Sequence, residues 1–376
     1  MRIEKMLYLY SYICIAMIVF NIIFIFGLKI YPYIVSAYSK YLRMMFNMQL
    51  IRYREKKELS FYEAHRLQNS FNRSLKIKAF TEFADNLSDE EFKNMMDIFK
   101  HNFYVIHNLC KKKLKQSPLK ISFFLKVLYK YNILQARPDD QVLDTIMQYL
   151  YMPSIYCRHN AMLLLYQTED EKRVIDGIRV LNNNDVYTHE RVLSVGLLNY
   201  TGDKDKLIKL LLKDFYEFKP WIQEAVCNFI PTVSGDYQKE IFGFMNDESL
   251  SEEVRVRCLG YLGIHPYKEA YPYFIKYAKN KDGHLFKYSI CATKYLYNYP
   301  CVETIYALKD AMYTDNWDVR INAANSLEKL GLEYKDLIDI FNGNDRYAME
   351  IMQYFLDVRK IRKEKGEESN LYGRII

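Results

Sequence analysis

The residues from which this chain could build a metal centre or a nucleophile are seven histidines and seven cysteines. The histidines are His65, His101, His107, His159, His189, His265 and His284; the cysteines are Cys14, Cys110, Cys157, Cys227, Cys258, Cys291 and Cys301. A zinc hydrolase needs His-Glu-x-x-His on one helix, and a structural zinc site needs two closely spaced ligand pairs. Neither pattern occurs. His107 and Cys110 stand three apart, half of such a site, with no second pair to complete it, so helix packing accounts for them. There is no glycine-rich phosphate loop and no Gly-x-Ser-x-Gly. The acidic pairs Asp139-Asp140 and Glu252-Glu253 stand at helix starts, where carboxylates favour the helix dipole, and read as caps rather than as an acid–base couple. The run Cys110-Lys111-Lys112-Lys113-Leu114-Lys115 could meet phosphate, lipid or RNA, but in a turn between helices it reads as a solvated face. These residues point to no catalytic group, no metal and no cofactor, and no enzymatic activity is expected.

The elements that position these side chains are helices. In 376 residues, glycine (13) and proline (9) are scarce, and hairpin-type dipeptides such as Asp282-Gly283 are rare. Half of the residues are hydrophobic, enough for a large core or an extended array. A chain this long with so little turn chemistry is all-α. The net charge of +7 suggests nucleic acid until it is located: residues 1–60 hold nine basic and three acidic residues, so the remainder is close to neutral. That distribution argues against a broad nucleic-acid footprint, and no nucleic-acid partner is expected.

Residues 6–28 form an uncharged apolar run. At about 1.5 Å per residue it crosses the roughly 30 Å hydrocarbon layer. Tyr8, Tyr10 and Tyr12 near one end, and Tyr31 and Tyr33 beyond the other, suit the interfacial aromatic belt. The run is too long for a signal-peptide core, and Lys29 and Pro32 intervene before the small-residue stretch Val35-Ser36-Ala37, so a retained anchor is expected. Arg2 and Lys5 precede the run and seven basic residues follow it by Lys57, which places the C-terminal body in the cytoplasm and the N-terminus outside. In residues 29–57, Lys40, Arg43 and Arg54 fall near one helical face, while Leu42, Met45, Phe46 and Met48 fill much of the rest. Two readings stay open. One is a basic amphipathic helix on the anionic leaflet, with Lys40, Arg43, Arg52 and Arg54 on the membrane surface. The other is a helix packed on the soluble body or on a membrane partner.

The long body repeats. Ala161, Ser194, Ala225, Cys258, Cys291 and Ala323 are small residues at intervals of 33, 31, 33, 33 and 32, and each is followed at i+4 by a large apolar residue: Leu165, Leu198, Phe229, Leu262, Tyr295 and Leu327. Such a period marks a solenoid of helix pairs. The small residue admits a neighbouring helix, and the large one on the same face fills the space beside it. Cys258 and Cys291 serve there as small hydrophobes, which suits a reducing compartment. Arg158, Arg191, Arg255 and Arg320 stand three residues before the small position in four copies, where they could reach the preceding repeat's turn and form an inter-repeat ladder. Partner helices are expected over 170–181, 204–217, 236–246, 268–280, 302–313 and 334–342. Trp221 and Trp317 begin two of the second helices; they are candidate contact residues, with core packing the competing reading.

The phrase Asp318-Val319-Arg320, Ala323-Ala324, Leu327, Leu330-Gly331 resembles the second helix of a HEAT repeat, and residues 251–263 are a further good match. The resemblance covers residues 150–345. It implies a right-handed α-solenoid whose second helices line a concave surface. Such arrays are mostly protein-binding scaffolds, with a minority that bind DNA or process tetrapyrrole attachment. The expected organisation is a short tail (1–5), a transmembrane helix (6–28), a juxtamembrane helix (29–57), an irregular helical cap (58–150), HEAT-like repeats (151–345), a final helix (346–366) and a disordered tail (367–376). Leu128, 33 residues before Ala161, allows a divergent extra repeat in the cap. The expected function is a membrane-anchored cytoplasmic scaffold that binds a protein. The alternative is a HEAT-like enzyme or nucleic-acid binder using the concave face. The tyrosine-, lysine- and isoleucine-rich composition points to a low-GC bacterial source, where a membrane enzyme of envelope or polysaccharide assembly, such as a glycosyltransferase, is the expected kind of partner.

Overall fold

The computed structural model describes residues 2–56, 60–71, 73–134, 140–184 and 187–365, and every regular element among them is a helix. The expected disordered tail, 367–376, lies outside the described residues. The helices start where the sequence supplies a start. Ser60 and Ser88 each form a capping box, with Glu63 and Glu91 three residues on, and Pro118 and Pro220 occupy first turns. Asp170, Ser251, Asn316 and Asp345 accept a hydrogen bond from a backbone N–H of the first turn they precede.

The chain divides into two compact units, Met1–Val186 with Asn199–Leu207, and Tyr187–Leu198 with Ile208–Ile376. The first unit holds α1 (Arg2–Lys56), α2 (Phe61–Ser70), α3 (Ser74–Asp85), α4 (Asp89–His101), α5 (Phe103–Lys113), α6 (Pro118–Lys130), α7 (Asp140–Gln148), α8 (Ile155–Tyr166) and α9 (Glu171–Asn183). α1 is one unbroken helix of 55 residues that changes surroundings along its length. It is long and apolar enough to cross a membrane. From Tyr8 to Ile30 its described side chains are exposed, apart from half-buried Cys14. From Val35 to Gln49 it is a core helix: Val35, Leu42, Met45, Phe46 and Gln49 are buried, α1 packs on α3 and α4, and Gln49 donates to Glu63 O of α2 at 3.3 Å. The Phe46 ring stacks on Phe83 at 5.1 Å and lies 6.2 Å from Phe99. Packing on the helical body is thus observed for residues 35–49 of the stretch 29–57.

The second unit holds α10 (Glu190–Leu198), α12 (Pro220–Val233), α13 (Gln238–Asn246), α14 (Glu252–Ile264), α15 (Tyr271–Ala278), α16 (Phe286–Tyr295), α17 (Val302–Ala311), α18 (Trp317–Lys329), α19 (Ile338–Phe341) and α20 (Arg346–Glu364); α11 (Lys204–Lys213) falls across the division. Within this unit α10 packs on α12, α12 on α14, α14 on α16, α16 on α18 and α18 on α20, while α13, α15, α17 and α19 each pack on the helix that follows. In the first unit α6 packs on α8, and α8 on α7 and α9. In the second unit α14, α16 and α18 thus each contact their own partner and the second helices on both sides, the neighbour-to-neighbour packing of an α-solenoid.

The second helices α14 and α16 come close at Gly263. A Cβ built there would lie 2.4 Å from Tyr295 Cβ, whereas one at Gly260, a turn earlier, would lie 3.6 Å from Cys291 Sγ. Gly263→Ala is therefore expected to destabilise by about 1–3 kcal/mol through overpacking. Gly260→Ala is expected to stabilise by up to about 1 kcal/mol, because alanine restricts the unfolded chain and fits here. Thermal unfolding of the two full-length variants in detergent checks the opposite signs.

Candidate protein interface

Five of the six small positions lie in the interior. Ala161, Ser194, Ala225, Cys258 and Ala323 are buried, and Cys291 is half-buried. Of the partners at i+4, Leu165, Phe229, Leu262 and Leu327 are fully buried, and Leu198 and Tyr295 are half-buried. Cys227 and Cys258 bring their thiols to 3.6 Å in the core. The Cys227 contact and burial together push the Cys258 thiol well above its ordinary range, so it stays protonated.

The arginines do not form a ladder. Arg158 donates to the carbonyls of Met152 (2.7 Å) and Pro153 (2.8 Å), in the turn before its own helix. Arg320 donates to Thr314 O in the equivalent turn, and to Asp345 at 2.9 Å. Asp345 is the N-cap of α20, and this bond holds its carboxyl below the usual carboxylate range. Arg255 lies over the Tyr288 ring of the next repeat, and Arg191 is exposed. A guanidinium three residues before the small position is at the first turn, where unpaired turn carbonyls are nearer than the next arginine.

The rungs between successive pairs are instead short polar side chains that donate to backbone carbonyls of the preceding second helix. Asn160 reaches Ser122 O (2.9 Å) and Gln167 reaches Tyr129 O (3.0 Å). In the second unit Asn322 reaches Ile290 O (3.2 Å) and Ser326 reaches Thr293 O (2.5 Å). Just past α16, Asn298 reaches Gly263 O (2.7 Å) and Tyr299 reaches Leu262 O (2.7 Å). Asn160 and Asn322 both stand one residue before the small position, but Leu193, Glu224, Arg257 and Ile290 fill that place in the other copies, so the sequence shows no recurring donor there.

Two openings lie on the second helices of the second unit. One, of about 380 Å³, runs over α12, α14 and α16; Asn228, Arg257, Lys287, Cys291 and Lys294 are among its lining residues. Pro231 also lines it and leaves Cys227 O without its helical donor. Its cations are largely matched. Arg257 is 3.8 Å from Glu224 and 3.9 Å from Glu190, and Lys287 bonds Glu252 (2.6 Å) and Glu253 (2.7 Å). The pair Glu252-Glu253 thus serves an ion pair between repeats as well as a helix start. The other opening, of about 270 Å³, lies between α18 and α20 and is lined by Trp317, Ile321, Glu350, Ile351, Tyr354 and Phe355. Trp317 is 54% exposed and Tyr354 62% exposed. Trp221 is half-buried, its ring 5.8 Å from Tyr187. Trp317 therefore faces solvent, and Trp221 is shared between solvent and packing. Tyr354 was not singled out in the sequence, because α20 falls off the 33-residue period.

The remaining sequence candidates are placed as follows. Lys40 is exposed, whereas Arg43 turns to the helical body, donating to Asn86 O and lying 3.7 Å from Glu91. The side chains of Arg52 and Arg54 lie outside the described residues. Among the described residues no cluster of three or more His, Cys, Asp or Glu side chains is arranged to hold a metal ion. No protein-family model matches the chain, and no curated protein matches it.

The lysine run is not uniformly solvated. Lys111, Lys112 and Lys115 are exposed, but Lys113 is only 2% exposed and donates to Gln116 Oε1 at 3.1 Å. Burial, then the nearby charges of Lys120 and Lys112, push its pKa down to about 8. An unfolded lysine titrates near 10.4, so between about pH 8 and 10.4 the unfolded chain binds the extra proton and Lys113 adds stability as pH rises. Lys113→Met is expected to unfold at a higher temperature than wild type below pH 8, with the difference shrinking toward pH 10. Melting curves of the two proteins across that range check the sign.

Proposed function

We propose that this chain is a HEAT-like α-solenoid, tethered to a membrane by α1, that acts as a scaffold for a protein partner bound on its second helices. The observation that carries the reading is the apolar opening at α18 and α20, where exposed Trp317 and Tyr354 stand with half-buried Ile321 and Phe355 over buried Ile351. Exposed tryptophan and tyrosine beside a concave apolar pocket are the usual anchors of protein interfaces, because they bury much area at low conformational cost. The charge pairing in the neighbouring groove favours this reading over nucleic-acid binding: four carboxylates accompany Arg257 and Lys287, so the groove offers phosphates little free charge.

Tethering supplies the rest of the affinity. A body held at the membrane meets other membrane proteins at high effective concentration, so one small interface suffices. A membrane-embedded enzyme is the partner class this favours. The excess of basic residues after the apolar run supports a cytoplasmic body.

The test is purification of the full chain from native membranes in mild detergent, with bound proteins identified by mass spectrometry. Wild type is expected to carry one near-stoichiometric membrane protein. In W317A/Y354A its recovery is expected to fall at least tenfold, since hot-spot truncations cost about 2 kcal/mol or more each. Recovery of the wild-type chain alone, or a partner that the variant retains in full, would sink the reading.

A further inference from the structure

Two acid-free stretches of the sequence meet at one level of the first unit. Residues 6–54 contain no Asp or Glu, and neither do residues 64–81. The contacts set their order. Near the start of α3, Lys78 Nζ lies 4.5 Å from the Tyr31 ring centre and Lys76 Nζ lies 5.4 Å from that of Tyr38. Near its end, Phe83 meets Phe46 and the Asn86 carbonyl accepts from Arg43. α3 therefore begins beside the part of α1 nearest the apolar run and leads away from it.

That run ends at Leu28. Tyr31 is three residues further, about 4.5 Å along the axis, and Tyr38 is ten further, about 15 Å. The polar layer on each side of a bilayer is about 5–8 Å deep. Lys78, drawn back to Tyr31, thus stands at headgroup depth. Lys76 stands just above it, about one Debye length from the surface. Lys29 and Arg73 are exposed at the same end, and Tyr33 beside them is 78% exposed. Arg43, by contrast, is taken by Asn86 and Glu91, so the residues of 29–57 alone understate the basic surface.

We propose that Lys29, Arg73, Lys76 and Lys78 form a basic collar that binds the anionic phospholipid headgroups of the membrane α1 crosses, seating the first unit against the bilayer. The inference rests on the reading of α1 as a membrane span. The tyrosine rings hold the Lys76 and Lys78 ammonium groups at this level by cation–π contact, and each ammonium keeps donors for a headgroup phosphate. Each cation near an anionic surface strengthens the seating about fivefold.

The experiment is hydrogen exchange on the full chain in nanodiscs of phosphatidylcholine, with and without phosphatidylglycerol. With phosphatidylglycerol, exchange over residues 73–80 is expected to slow about fivefold or more, and the effect is expected to vanish in K76Q/K78Q and to weaken in high salt. Protection around Phe46 should be the same in both proteins, showing that the variant keeps the α1–α3 core. Equal exchange in the two lipids while residues 8–28 stay protected overturns the collar and leaves the anchor standing. Lipid dependence that survives in K76Q/K78Q also overturns it. A chain that does not enter the disc overturns the anchor, and the collar with it.

Discussion

A helix pair has more apolar surface than its own two helices can cover. In the second unit α12, α14, α16 and α18 are each flanked by two other second helices, and both flanks must be dry. The solution is a small residue at the contact: Ser194, Ala225, Cys258 and Ala323 are buried at it, and beside them Phe229, Leu262 and Leu327 lose all exposure. Side chains this small let the backbones come close, which is why serine and cysteine can stand in for alanine there. At Gly263 even a methyl is too much, because the Cβ of Tyr295 stands against it. The period is thus a packing constraint, in which each pair repeats the same residue sizes because each must present the same gap to the next.

Close approach has a second consequence. It brings the backbone carbonyls of one second helix within reach of short side chains on the next. Asn322 and Ser326 both use this, on Ile290 O and Thr293 O, and Asn160 does the same on Ser122 O. A buried hydroxyl or amide costs little when it finds a partner: Ser326 finds one across the gap, while buried Ser289 and Thr293 donate one turn back along their own chain, to Leu285 O and Ser289 O. The long arginines are too large for that gap. They remain at helix starts, where Arg158 and Arg320 close turns.

The parts that were legible from sequence are those fixed by local periodicity. Six small residues with a large partner at i+4 define most of the second helices, and the partner helix expected over 302–313 is observed at Val302–Ala311. The last pair was not recognised as a repeat. Its small and large residues, Ala348 and Met352, are both buried, but they come 25 residues after Ala323, because α19 is only four residues long. A shortened first helix breaks the spacing without changing the packing. Burial that depends on distant contacts was also illegible. Lys113 looks like its solvated neighbours until α6 covers it, placing Phe124 5.6 Å from its ammonium. Residues 35–49 carry both a basic and an apolar face, which suits lipid and protein equally; only Phe80, Phe83 and Phe99, far along the chain, decide between them. The Trp317 opening needed two helices whose register the sequence does not set, since its other wall is α20.

The continuity of α1 bears on how an anchored scaffold would behave. A flexible linker gives its cargo a broad range of positions, and effective concentration falls as that range widens. α1 instead passes from exposed apolar surface to a buried core within one helix, from Ile30 to Val35. Pro32 lies inside this stretch and removes the hydrogen bond to Leu28 O, so any bend between span and body is confined to about one turn. Beyond it, Phe46 is locked among three phenylalanines. In the anchored reading, the tilt of α1 and the position of the first unit are then one mechanical variable. A force or a lipid change acting at the headgroup level reaches the α1–α3 core directly, because no hinge residue intervenes after Pro32 to absorb it.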